Sequence, residues 1–189
     1  MATTPNEARI GTGKLTYDDL VSLADETRRY EIFDGDLVVT ASPTTRHQRV
    51  SRNLAFILHD YVSTPGLGEV FYAPVDVILD RHTVVVPDLV YVSKARTSIV
   101  QPHAIVGAPD LLVEILSPST ADRDWGAKAK LYARFGVDHD WVVDPDERIL
   151  TVFSRTRAAY AEAARHARDA TVRAAPFSAL DLDLGTVWA

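Results

Sequence analysis

Asp88 and Glu114 each stand alone among apolar residues, in the runs TVVVPDLVYV and DLLVEIL. A carboxylate inside an apolar strand is costly to bury unless something pairs with it. Two of them on strands that lie side by side suit a divalent cation. Lys128, on the polar segment that follows, adds a positive charge. Two acids and a lysine near a strand edge form a constellation suited to metal-assisted hydrolysis of a phosphodiester. The backbone carbonyl of Ile115 could add a further oxygen. A site made only of oxygens prefers Mg²⁺ or Mn²⁺ to zinc.

Each of these residues also has an ordinary reading. Asp88 follows Pro87 and could be a surface carboxylate on an edge strand. Glu114 could face solvent from a half-covered sheet. However, Leu112, Val113, Ile115 and Leu116 surround it, which suggests burial on both faces and the need for a polar partner. Lys128 shares a helix face with Asp124 and Tyr132, four residues away on either side, so a salt bridge from Asp124 to Lys128 would explain it without any function. Glu31, in the first hairpin, and His47, in the first turns of a long helix, could be plain surface. The other histidines show no metal-ligand spacing. No phosphate-binding glycine loop and no nucleophile-elbow serine motif is present.

The elements that must position these residues follow from pattern. Residues 1–13 read as a flexible tail, and 14–189 as one domain. Thr16 and Asp19 form a capping pair for a short helix from Tyr17 to about Ala24. YEIF and DLVVTAS make a hairpin about Asp34-Gly35. Val50, Leu54, Ile57, Leu58 and Tyr61 repeat at helical spacing, ending near Thr64-Pro65-Gly66. EVFYAPVDVILD and TVVVPDLVYVS read as two strands of a hairpin joined at Arg81-His82, with Pro87 at a bulge or where no ladder donor is needed. DLLVEILS is a further strand, ended by Ser117-Pro118-Ser119-Thr120. A helix from Asp124 to Phe135 stops at Gly136, and DWVVD with RILTVFS forms a last hairpin. The alanine-rich stretch TRAAYAEAARHARDA reads as helix by propensity. The sum is an α+β or mixed α/β fold, a sheet with helices packed on it.

Composition narrows the setting. The chain has 189 residues, no cysteine and a formal net charge of −6. Disulfides, thiol nucleophiles and thiolate metal sites are thereby excluded. No apolar run is long enough to span a bilayer, and the polar start lacks a signal-peptide core, so no membrane partner and a cytoplasmic location are expected. The acidic balance argues against a general nucleic-acid coat protein but leaves room for a local basic groove.

The segments YEIFDGDLVV, SPTTRHQRV, VPDLVYVS, GAPDLLVEILSPST, DRDWGAKAKLYARFGV and WVVDP occur in order over residues 15–155. Together they resemble the Uma family of restriction-endonuclease-like proteins, within the PD-(D/E)XK nuclease superfamily. The resemblance implies a central mixed sheet flanked by helices, a divalent cation held by Asp88 and Glu114 that activates water, a DNA substrate, and a homodimer as in many superfamily members. The superfamily lysine lies two residues after the second acid. Here that place is Leu116, and the family pattern implies that Lys128 stands in for it. By the same resemblance Glu31 and His47 line the site, Asp124 and Tyr132 support Lys128, and the tail around Tyr160 and Val172 is strand. Three functions compete: a metal-dependent DNA endonuclease, a non-catalytic nucleic-acid or protein interaction module that keeps the fold, and a hydrolase of another phosphodiester or nucleotide. Fold alone does not decide among them.

Overall fold

The structure is a computed structural model, described for residues 13–23, 29–40, 42–117, 124–157 and 159–189. The expectations for residues 1–12, for Ala24 and for the Pro118-Ser119-Thr120 terminator lie outside the described residues. Helix α1, Tyr17–Ser22, has the capping box of Thr16 and Asp19. Strands β1, Arg29–Phe33, and β2, Asp36–Thr40, form the first hairpin. Its turn residues Asp34 and Gly35 both take positive φ, 52° and 95°, as a tight two-residue hairpin turn demands. Helix α2, Thr45–Ser63, buries Val50, Leu54, Leu58 and Val62.

The two long apolar runs do not pair as one hairpin. The first divides into β3, Gly68–Tyr72, and β4, Val77–Asp80. The second divides into β5, Thr83–Val85, and β6, Leu89–Ser93. Only β4 and β5 form a hairpin, whereas β3 pairs with β6. Pro87 supplies the reason. It has no N–H for a ladder, so the chain leaves one sheet at Val85 and enters the other at Leu89. A six-residue 3-10 helix, Lys94–Ile99, and the short strand β7, Ile105–Val106, lie in the connection to β8, Leu111–Ile115.

Helix α3, Asp124–Phe135, then carries the chain from β8 to its parallel neighbour β9, His139–Asp144. Strand β10, Ile149–Thr156, returns antiparallel to β9. The alanine-rich stretch is strand β11, Ala159–Ala167, not helix. It pairs with β10 along its length, and Tyr160 sets its hydroxyl on the carbonyl of Val137 at 3.0 Å. Tertiary pairing here overrides the helix propensity of alanine. Strands β12, Thr171–Ala174, and β13, Phe177–Asp183, and helix α4, Leu184–Trp188, complete the chain.

The architecture is therefore α+β with mixed sheets flanked by helices. A six-stranded sheet runs β11-β10-β9-β8-β6-β3, and a five-stranded sheet runs β2-β1-β5-β4-β7. Strand β8 is apolar toward both faces, as its sequence suggests. Leu111, Val113 and Ile115 pack with α2 and the C-terminal elements. Leu112 packs with Leu131 and Tyr132 of α3 and with Val77 and Val85 of the other sheet. Among the described residues no helix is long and apolar enough to cross a membrane.

The β3–β6 pairing depends on Gly68, whose φ is +152° and where a Cβ would lie 2.1 Å from the carbonyl oxygen of Val92. Gly68→Ala should cost about 1–3 kcal/mol through strain, read as a lower urea midpoint with an unchanged slope. An unchanged midpoint would show that β3 shifts without cost.

Candidate active site

The site forms where the chain crosses between the two sheets. Asp88 ends that crossing, opposite the end of β8. Its N–H donates to the carbonyl of Val113 at 3.1 Å, and its Oδ2 accepts from the N–H of Ile115 at 2.8 Å. His47, in the first turn of α2, places Nε2 3.1 Å from the same oxygen. A carboxylate only accepts, so Nε2 carries the proton. The buried Nδ1 has no hydrogen-bond partner among the described residues. Asp88 Oδ1 faces Arg29 at 3.8 Å.

Glu114 shares its face of β8 with Leu112 and so points toward α3. Tyr132 donates its hydroxyl to Glu114 Oε1 at 2.5 Å. The Lys128 ammonium lies 3.2 and 3.1 Å from the two oxygens of Glu114. It also lies 3.0 Å from Glu31 Oε1. Glu31, on β1, is held by the N–H of Val86 at 2.8 Å and by the Thr40 hydroxyl at 3.2 Å. Lys128 thus bridges an acid from each sheet. The four-residue spacing in α3 puts Lys128 and Tyr132 on one face, one turn apart, and both meet Glu114.

Glu31, His47, Asp88, Lys128 and Tyr132 are all buried. Burial, with Asp88 and Glu31 close by, raises the Glu114 carboxyl to about 7 against the pull of Lys128. Burial opposes the charge of Lys128, but Glu114 and Glu31 outweigh it and hold the ammonium protonated beyond an ordinary lysine. Burial, then the same two acids, keep Tyr132 a neutral donor, with its pKa well above the usual value.

Of the residues named from sequence, Asp88, Glu114, Ile115, Lys128, Glu31, His47 and Tyr132 converge here. Tyr132 supports Glu114, where Lys128 was expected as its partner. Asp124 starts α3, but its side chain lies outside the described residues. Ile115 meets Asp88 through its N–H. Arg29 was passed over. Its signal was its place two residues before Glu31 on one strand, hence on the same face.

Mixed sheets flanked by helices, with the chain crossing between the sheets at Asp88, give a restriction-endonuclease-like fold. The chain matches the sequence profile of the Uma2 family, described as "putative restriction endonuclease", over residues 16–185, and it belongs to that family. The crystal structure of a "putative nuclease" from Anabaena variabilis ATCC 29413 has the same fold. It superimposes with a TM-score of 0.77 at 20% identity, covering 92% of this chain and 97% of that one. No curated protein matches the chain.

The raised Glu114 carboxyl has a consequence for stability. Its folded value of about 7 exceeds the ordinary 4.5, so between these pH values the folded chain keeps a proton that the unfolded chain has lost. Its contribution is full below about pH 4.5 and is lost as pH rises through 7. The metal-free protein should lose stability on the order of 1–3 kcal/mol over that window, seen as a falling melting temperature. Glu114→Gln should flatten that part of the profile, and an equal slope in both proteins would contradict the assignment.

Proposed function

We propose that the protein is a divalent-metal-dependent endonuclease acting on DNA, with Asp88, Glu114 and Ile115 holding the cation and Lys128 assisting. The observation that carries this reading is the charge imbalance at the crossing. Two buried carboxylates, Glu31 and Asp88, and the largely covered Glu114 face two cations, Lys128 and Arg29. Burial first, and then Asp88 and Glu31, raise the Glu114 carboxyl, and a further cation would relieve the part that the two acids contribute.

The donor set fits Mg²⁺ or Mn²⁺. Asp88 uses Oδ2 for two hydrogen bonds and, among the described residues, leaves Oδ1 with only the distant Arg29. In a ladder the N–H and C=O of one residue point to the same strand edge. The Ile115 carbonyl therefore shares the Asp88 edge, beyond the last residue of β8 that pairs with β6. Oxygen-only ligands are those that hard divalent ions take. When bound, such an ion lowers the pKa of water and neutralises charge on the phosphate.

The chain's own groups then have distinct tasks. Lys128 stays protonated, so it serves as a donor to charge growing on the phosphate and not as a base. Glu31 and Tyr132 position Lys128 and Glu114. His47 fixes the rotation of Asp88. Breaking one strand takes one such site, and breaking both strands of a duplex at one place takes two copies.

A second reading, a non-catalytic module, has one observation in its favour. Glu114 is already satisfied by Lys128 and Tyr132, and among the described residues no three His, Asp or Glu side chains are grouped as a ready metal cage. Titration of Mn²⁺ by calorimetry, with plasmid nicking in parallel, separates the two. Wild type should bind and nick, whereas Asp88→Asn and Glu114→Gln should lose nicking by at least about 100-fold and weaken binding. Absence of Mn²⁺ binding to wild type would make the acids structural and favour the module.

A further inference from the structure

Six large hydrophobic side chains are exposed among the described residues, and only two of them are aromatic, Phe56 and Tyr72. Each is 71% exposed, and both line one cavity of about 470 Å³ that reaches Asp88. Gln48, Arg52 and Phe56 repeat every four residues, so one face of α2 forms a wall. That face is turned away from the core residues Val50, Leu54 and Leu58 of the same helix. Tyr72, at the end of the sheet-edge strand β3, stands in the opposite wall. Arg29 and Asp88 close the inner end.

The charge of this region differs from that of the chain. Residues 45–59 carry Arg46, Arg49 and Arg52 and no acid, within a protein of net charge −6. Arg46 pairs with Asp146. Arg49 and Arg52 pair with no carboxylate among the described residues, and Arg52 leans on the Asn53 side chain at 2.8 Å. A cationic helix face with an open aromatic on each wall is what a nucleic-acid strand with unstacked bases requires. The arginines follow its phosphates and the rings take its bases. A duplex offers no free base face to either ring. The volume falls in the range that takes one drug-sized group, the size class of a nucleotide.

We propose that this cavity is a nucleobase-stacking subsite, with Phe56 and Tyr72 as its platforms, and that the substrate is single-stranded or locally unpaired DNA whose phosphate is thereby led to Asp88. This rests on the nuclease reading for the chemistry but not for the binding. A single strand also needs one site and no second copy.

The test is binding of a fluorescein-labelled 12-nucleotide single-stranded DNA by anisotropy in EDTA, so that nothing is cut. The probes are the strand, its duplex and a strand of the same length made wholly of abasic sites. The proteins are wild type, Phe56→Ala, Tyr72→Ala and Phe56→Trp. Both alanine variants alter exposed side chains, and their melting temperatures should match wild type. The single strand should bind wild type at least about tenfold more tightly than the duplex. Each alanine variant should lose between about 5-fold and 100-fold for the intact strand and nothing further for the abasic one. Phe56→Trp should keep affinity, with its added fluorescence quenched on binding.

Equal binding of the intact and abasic strands by wild type would overturn the proposal, as would alanine variants that bind like wild type. So would a dimer in sedimentation that Phe56→Ala abolishes, with no binding of DNA, because the aromatics would then be an interface. The nuclease reading fails separately. Stacking-dependent binding without nicking in Mn²⁺ leaves the subsite standing. Nicking that is unchanged in Phe56→Ala and Tyr72→Ala, on duplex and single strand alike, leaves the nuclease standing without the subsite.

Discussion

The ammonium of Lys128 lies buried between Glu31 of one sheet and Glu114 of the other, and the arrangement of the interior follows from it. Each of the three charges would be prohibitive alone. Together they hold one another, but only if β1, β8 and α3 keep their relative positions within hydrogen-bond tolerance. A buried pair of this kind is weak as a source of net stability and strong as a constraint on geometry, because removing one partner leaves the others uncompensated. Val86 and Tyr132 complete the constraint. The first donates its N–H to Glu31 Oε1, the oxygen that Lys128 also meets, and the second its hydroxyl to Glu114 Oε1, while the Thr40 hydroxyl holds Glu31 Oε2, so neither acid is free to turn.

The crossing at Val86-Pro87-Asp88 ties this constraint to the chain's path. Proline cannot serve either sheet's ladder, and the residues on both sides of it do. Asp88 therefore emerges at the point where neither sheet claims its side chain, and the end of β8, beyond its pairing with β6, offers it the N–H of Ile115. His47 reaches the same carboxylate from the first turn of α2. The candidate site is thus assembled by four elements that are distant in sequence, and one proline sets where they meet.

Much of this was legible beforehand because the relevant residues break their local pattern. Asp88 and Glu114 interrupt apolar runs, and Lys128 and Tyr132 share a helix face by spacing alone. The division into two sheets was not legible. TVVVPDLVYV is apolar on both sides of Pro87, and a bulge in one strand satisfies the same pattern as a crossing between two. Arg29 was hidden for a related reason. Its relation to Asp88 exists only once β5 has paired with β1 and the crossing has begun. The β11 strand was misread because alanine favours helix weakly, whereas the ladder with β10 acts along its whole length. Phe56 drew no notice because it lies off the apolar stripe of α2, and a single ring on a polar face is common. It gained meaning only beside Tyr72.

An acidic cluster presents a difficulty to any reaction on a phosphodiester, because the substrate is itself an anion. Three carboxylates at the crossing would repel a phosphate by several times the thermal energy at interior dielectric. Lys128 lessens that repulsion from within while it holds Glu31 and Glu114. Arg29 differs, since it lies 3.8 Å from Asp88 and lines the cavity as well. The arginines of α2 extend the positive path outward along the helix. An anion that approaches along α2 therefore meets cations before it meets Asp88. In the proposed reading the same helix that fixes Asp88 through His47 also offers a favourable direction of entry. Site geometry and substrate approach are then two consequences of where α2 packs.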